Sequence, residues 1–110
     1  MVEKNETLKE RLISVGLVKA SSEDDQRQWL YEAKYNIRDR YGIYILEEFF
    51  LEYGKWTIFI NRRGERLLDG LERGMMFSAH IAALAAALEY VLDMIESELN
   101  EKEGHLRSMV

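Results

Sequence analysis

The chain has 110 residues, 47% of them hydrophobic, and its 15 basic and 20 acidic residues give a formal charge of −5. This length and hydrophobicity predict one globular domain over residues 1–110 and exclude wholesale disorder. The absence of cysteine excludes disulfides, thiolate metal sites and cysteine nucleophiles.

The first third of the chain predicts two helices. Asn5 to Val15 has the apolar spacing of a short amphipathic helix, which Gly16 ends, so that residues 1–20 form a helix and a connection. Ser21 and Ser22 precede three acidic residues, as in a helix start, and they predict a second helix that ends between Tyr35 and Tyr41.

The middle of the chain predicts an antiparallel meander of two to three strands. An apolar, aromatic run from Ile43 to Leu51 indicates a strand, and Tyr53-Gly54 reverses the chain. Trp56 to Asn61 alternates as a strand does, and Glu65 to Asp69 returns as a short edge strand before a loop that reaches Gly74.

The last element is predicted to be a long helix that opens at Ser78. Its apolar stripe continues to Leu99, and the tail from Glu101 to Val110 is expected to be frayed. The predicted fold class is therefore α+β: two N-terminal helices, a small antiparallel sheet and a long C-terminal helix packed on it. The alanines between Ala79 and Ala87 would pack on the sheet or pair two copies in a homodimer.

No spacing of residues in the chain indicates catalysis, a metal or a cofactor. The two histidines, His80 and His105, have no partner at metal-ligand spacing, and His80 is interpreted as a polar residue of the first helical turn. Glu47 and Glu48 point to opposite faces of their strand, so they cannot act as a paired acid and base. One of them could point inward at the sheet edge, but protection of that edge is the favoured interpretation. We therefore expect no enzyme, no cofactor and no metal site.

Two charged surfaces are candidate partner sites. The turn after the second strand carries three arginines, which with a nearby tyrosine could grip carboxylates or phosphates or serve only as a solubilising turn. Its residues are Arg62, Arg63, Arg66 and Tyr53. The side of the last helix that is expected to face solvent carries four acidic residues, which we call the acidic face. Its residues are Glu89, Asp93, Glu96 and Glu98.

Three segments carry a resemblance to a known group. They are Gln28-Trp29-Leu30-Tyr31-Glu32 with Tyr35-Asn36-Ile37, then Lys55 to Ile60, then Phe77-Ser78 leading into Ala83 to Leu92. Over about Gln26 to Ile95 the chain resembles uncharacterised small proteins of phages and prophages of gut bacteria. The resemblance implies a helix with a Trp-Leu pair, an antiparallel hairpin and a closing alanine- and leucine-rich helix. It implies no active-site residue.

Composition and resemblance together predict a noncatalytic phage or mobile-element protein that inhibits a host protein. The partner would be a basic nuclease or a defence-complex subunit, as for an anti-CRISPR protein, with the acidic face in a nucleic-acid channel. The alternatives are a module that binds a small ligand or nucleic acid through the arginine hairpin, and a structural homodimer. The acidic balance disfavours nucleic acid. Without a signal sequence or an apolar span, we expect no membrane partner and a location in the cytoplasm of the bacterial host.

Overall fold

A computed structural model of the chain describes residues 7–22 and 24–108. This part contains three helices and one antiparallel sheet of three strands, so the predicted α+β class is confirmed. The first helix is short. In chain order the elements are α1 (Leu8–Ser14), α2 (Gln26–Tyr41), β1 (Ile43–Phe50), β2 (Lys55–Arg62), β3 (Glu65–Asp69) and α3 (His80–Ser108).

Side-chain caps set where the first two helices begin. Thr7 caps α1, because its hydroxyl accepts from the N–H of Glu10 while the Glu10 carboxylate accepts from the N–H of Thr7. Asp25, not the predicted serines, caps α2. The Ser22 hydroxyl donates instead to Glu32, at 2.6 Å, so the predicted start of α2 at Ser21 and Ser22 is wrong.

The sheet is a meander with β2 in the centre. All eight residues of β1 pair with β2 in unbroken antiparallel register, from Ile43 opposite Arg62 to Phe50 opposite Lys55. The pairing of β2 with β3 is shorter, and the register shifts between Ile60 and Asn61. The two turns therefore lie at opposite ends of the sheet.

The core lies between the sheet and the helices. Ile45 and Ile60 pack there with Leu88, and Ala83 and Ala87 of α3 are fully buried in the same cluster. The alanines thus allow α3 to approach its own sheet closely.

The opposite face of β2 is covered by the segment between β3 and α3. The Thr57 hydroxyl donates to the Met75 carbonyl at 2.8 Å, and the same segment then pairs at the edge of β2, where Trp56 exchanges two backbone hydrogen bonds with Phe77. The alternating pattern of β2 therefore does not separate a solvent-exposed face from a buried face, because Thr57 and Phe59 are buried as well as Ile58 and Ile60.

The last helix differs from its prediction at both ends. It begins at His80, two residues after Ser78, and the Ala79 carbonyl accepts its first helical hydrogen bond from Ala83. It continues to Ser108, so the predicted frayed tail is helical up to that residue, and Met109 and Val110 lie outside the described residues. Within the described ranges, no helix has an apolar stretch that would cross a membrane.

Candidate functional site

The three arginines of the predicted hairpin site diverge. Arg62 points to the helical side of the sheet and donates to Glu98 of α3 at 3.1 Å. Arg66 lies on the opposite face, 4.5 Å from the ring centroid of Phe59 and 2.6 Å from Oδ1 of Asn61. Arg63 is exposed in the turn itself. The structure therefore does not bring the three guanidinium groups together around one anion.

Tyr53 is also separate from these arginines. It lies in the turn between β1 and β2, whereas Arg63 lies in the turn between β2 and β3. The eight residues of β2 lie between the two turns, and at ~3.3 Å per residue they span roughly 25 Å. The hairpin arginines and Tyr53 do not form one site.

The predicted acidic face is divided and largely paired within the chain. The Arg11 guanidinium lies 2.6 Å from Asp93 and 2.7 Å from Glu96, which raises the pKa of Arg11 above its ordinary value, chiefly through Glu96. Glu98 is turned to the other side of α3, where Arg62 binds it. Glu89 is exposed on the side of the Arg11 pair, so three of the four acids have a cationic partner in their own chain.

A different set of side chains converges, centred on Glu47. The inner face of β1 presents Ile43, Ile45, Glu47 and Phe49 in alternation, so the strand carries the Glu47 carboxylate into the layer between sheet and helices. Its side chain is only 4% exposed. Oε2 accepts from Nζ of Lys34 at 2.8 Å, and Oε1 lies 2.8 Å from Nε2 of His80.

His80 is the first residue of α3, and the start of this helix places its side chain beside Glu47. Its Nε2 also lies 3.4 Å from the hydroxyl of Tyr31, so one ring nitrogen faces both a carboxylate and a phenol. Lys34 and Tyr31 come from α2 and Glu47 from β1. The cluster thus joins three elements, and we call Lys34, Glu47 and His80 the Glu47 network.

A row of aromatic rings meets this network at His80. Tyr35 stacks on Tyr31 with ring centroids 6.0 Å apart, and Tyr31 is 6.1 Å from His80. His80 is 4.6 Å from Trp56, which meets Phe49 edge-on at 5.3 Å. We call these five rings the aromatic row. Its two ends are open to solvent, because Tyr35 is 46% exposed and Phe49 is 45% exposed.

The turn between β1 and β2 extends the exposed apolar surface. Phe50 and Tyr53 lie with ring centroids 6.5 Å apart, and Tyr53 is 56% exposed. Leu51 at the tip is 87% exposed. The row and this turn adjoin at Phe49 and Phe50, so both expose aromatic side chains at the same end of the sheet.

The Glu47 network positions side chains. Both oxygens of the Glu47 carboxylate are hydrogen-bonded and its side chain is almost inaccessible to solvent, so Glu47 holds the side chains of Lys34 and His80 in fixed places. Within the part of the chain that the structure describes, no group of three or more His, Cys, Asp or Glu side chains could hold a metal ion.

Sequence reasoning missed this site for an identifiable reason. Glu47 and Glu48 are interpreted above as edge protection, and β1 is an edge strand, but that interpretation does not foresee that the Glu47 carboxylate is buried and bonded within the chain while its neighbour Glu48 is exposed. The available signal was the alternation itself, since an acid in phase with Ile43 and Ile45 belongs to the inner face. A buried acid needs partners. Lys34 and His80 are 13 and 33 residues away, and no local pattern identifies them.

Comparisons with protein-family models, with curated proteins and with solved structures each found no match.

Proposed function

We propose that the chain is a noncatalytic protein that binds a partner protein through the aromatic row and the adjoining turn between β1 and β2. The observation that carries this proposal is the row itself, five neighbouring rings with both ends open to solvent and with His80 of the Glu47 network at the centre. The network holds this central ring in place before binding, which lowers the entropy lost when a partner docks.

The composition of this surface supports a protein partner. Tyrosine and tryptophan contribute more binding energy at interfaces than their abundance suggests, because each offers a large rigid contact area and one polar atom. Tyr35 and Tyr53 are half exposed, and Arg38 lies over the Tyr35 ring at 5.0 Å from its centroid. Tyrosine and arginine in contact are typical of such anchors.

The net charge of the chain supports a basic partner. With a formal charge of −5, the protein attracts a positively charged surface at long range, and this raises the association rate more than the final affinity. The pairing of Asp93 and Glu96 with Arg11 makes Glu89 the most available acid of the predicted face. The acidic side therefore steers the approach, and the aromatic row supplies the contact.

The resemblance to small phage proteins supports a host protein as this partner, with inhibition as the consequence of binding. A basic nuclease or a subunit of a defence complex fits both the charge and the proposed origin. Occupation of a nucleic-acid channel then requires no catalytic residue in the chain.

The test compares capture of host proteins by three forms of the tagged chain. The forms are the wild type, the double variant Tyr35→Ser with Tyr53→Ser, and the control Leu71→Ser with Leu99→Ser, whose residues are also exposed but belong to the turn after β3 and to the second half of α3. A lysate of the bacterial host is applied with nuclease at moderate salt, and retained proteins are identified by mass spectrometry.

We expect one stoichiometric protein with the wild type and the control, and its loss with the tyrosine variant. The purified partner should then lose its own activity when the wild type is added. Retention by all three forms, or capture of nothing by the wild type, overturns the proposal.

A further inference from the structure

The free edge of β1 is the most unusual backbone feature of the fold. β1 has eight residues, and all of them pair with β2 on one side only. Among the described residues, no hydrogen bond reaches a backbone group on the other edge of β1. Every second residue of β1 therefore presents its N–H and C=O groups outward along a straight, unbulged strand.

The other edge of the sheet is protected. β3 has only five residues, the pairing contains a register shift at Ile60 and Asn61, and Phe77 continues the edge by pairing with Trp56. Short strands and bulges are devices that keep an edge from pairing with another chain. β1 has neither device, and Glu48 is the one exposed charge along it.

Apolar side chains flank the free edge on both faces of the sheet. Tyr44 and Leu46 point to the outer face and are 53% and 41% exposed. Phe49 points to the inner face beside the aromatic row. A strand added to this edge would bring alternate side chains alongside all three.

The position of α2 decides what kind of strand fits. α2 lies over β1, as the 2.8 Å contact between Lys34 and Glu47 shows. If two copies paired through β1 with their helices on the same face, the two α2 helices would be about 5 Å apart, the spacing of neighbouring strands. Packed helices need about 8–10 Å between their axes. On the face that α2 covers, the edge therefore accepts a strand that carries no helix above it.

We propose that the edge of β1 binds an extended segment of the partner protein, which adds a fourth strand to the sheet. The segment carries apolar side chains at the positions beside Leu46 and Phe49 and a lysine or arginine beside Glu48. The inference rests on the proposed partner-binding function and specifies its mode. Main-chain hydrogen bonds supply the affinity, and the flanking side chains supply the specificity.

The probe is a synthetic peptide with the sequence of residues 55–62 in which lysine takes the place of Thr57, Lys-Trp-Lys-Ile-Phe-Ile-Asn-Arg. The natural segment already pairs with β1 across the other edge, where Phe59 lies opposite Leu46, Trp56 opposite Phe49 and Thr57 opposite Glu48, so the peptide places its new lysine beside Glu48. Two further versions carry N-methyl groups on alternate amides, one on the odd positions and one on the even positions. N-methylation removes the donors on one edge of the peptide and leaves its side chains unchanged.

We expect saturable binding of the plain peptide in an NMR titration, with slower exchange of alternate β1 amides. One N-methylated version should lose binding and the other should retain it. Leu46→Lys should weaken binding about fivefold, because it puts a charge in an apolar cross-strand contact. Leu71→Lys, at an exposed position outside the sheet, should leave binding unchanged.

Absence of saturable binding, equal binding by both N-methylated versions, or slowed exchange elsewhere in the chain overturns the strand mode. Self-association that Leu46→Lys abolishes would identify a second copy as the occupant and also overturn it. The outcome is distinct from that of the capture experiment. If a tyrosine-dependent partner is captured but the peptide does not bind, the proposed function stands and the strand mode is overturned. If the peptide binds but no partner is captured, the strand mode stands and the proposed function is overturned.

Discussion

Nε2 of His80 lies 2.8 Å from Oε1 of Glu47, so the first residue of α3 is bonded to the middle of β1. The second oxygen of the same carboxylate binds Lys34 of α2. One side chain thus joins two helices to the edge strand of the sheet. The ring of His80, which this bond holds, lies 6.1 Å from that of Tyr31 and 4.6 Å from that of Trp56.

Replacing Glu47 by glutamine should destabilise the protein by about 2 kcal/mol. The variant keeps the shape of the side chain but removes its charge, and Lys34 and His80 then lose the anion that both contact. Loss of one member of a buried pair costs about 3–5 kcal/mol, and the partial exposure of Lys34 and His80 lowers this cost. Urea unfolding followed by circular dichroism measures the change.

Glu48→Gln is the matched control, because it makes the same chemical change one residue away on the exposed face. Its effect should stay within about 0.5 kcal/mol. Equal midpoints for the two variants would mean that the Glu47 network contributes nothing to stability.

The elements of the fold could be predicted from the sequence because each one has a local signal. The alternation of β2, the turn at Gly54 and the apolar stripe of α3 all depend on residues that are close together in the sequence. The start of α2 was misplaced because two serines and Asp25 offer competing caps within five residues. Glu32, seven residues beyond Asp25, decides the competition by binding Ser22.

The candidate site could be predicted only in part, because it depends on the order of the layers. The sequence places Glu47 and Glu48 on opposite faces of β1, but it does not show that α2 lies over that strand and covers Glu47. The separation of the hairpin arginines has a different cause. Arg66 pairs with Asn61, the neighbour of Arg62 in β2, and neighbouring residues of a strand point to opposite faces of the sheet.

Gly70→Ala should destabilise the protein by about 3 kcal/mol. A Cβ at this position would overlap the carbonyl oxygen of Ile58 and would lie 2.6 Å from Oγ1 of Thr57. The backbone of Gly70 also donates to that carbonyl at 2.8 Å, so neither group can move away without loss of the bond. Thermal unfolding measures the effect.

Gly54→Ala serves as the comparison for Gly70→Ala. Its backbone has a φ of 62°, but its Cβ would meet nothing within 4 Å, so only the conformational cost of about 1 kcal/mol applies. A Gly70→Ala variant as stable as Gly54→Ala would show that the segment after β3 is not held against β2.

The cap of α1 should be lost in acid. The backbone N–H of Thr7, and then its side chain, hold the pKa of Glu10 below its ordinary value of 4.5. A carboxyl with a lowered pKa in the folded state stabilises that state above its unfolded pKa. The contribution disappears as the pH falls from about 4.5 through the folded value. The NMR shift of the Thr7 amide proton should therefore titrate with a midpoint below 4.5.

In Glu10→Gln the Thr7 amide shift should stay constant over the same pH range, because the amide of glutamine does not ionise. A midpoint above 4.5 in the wild type would contradict the bonded geometry of the cap.

Arg11→Gln should loosen the attachment of α1 to α3. The guanidinium bonds Asp93 at 2.6 Å and Glu96 at 2.7 Å, and its loss leaves two acids facing each other without a cation. Because all three side chains are partly exposed, we expect a loss of about 1 kcal/mol. Screening should reduce this difference at 1 M salt, where the Debye length falls to about 3 Å. Arg27→Gln, at an exposed position of α2, should change stability little at either salt concentration. A loss that is independent of salt would show that the stem of Arg11 stabilises α1 by packing rather than by charge.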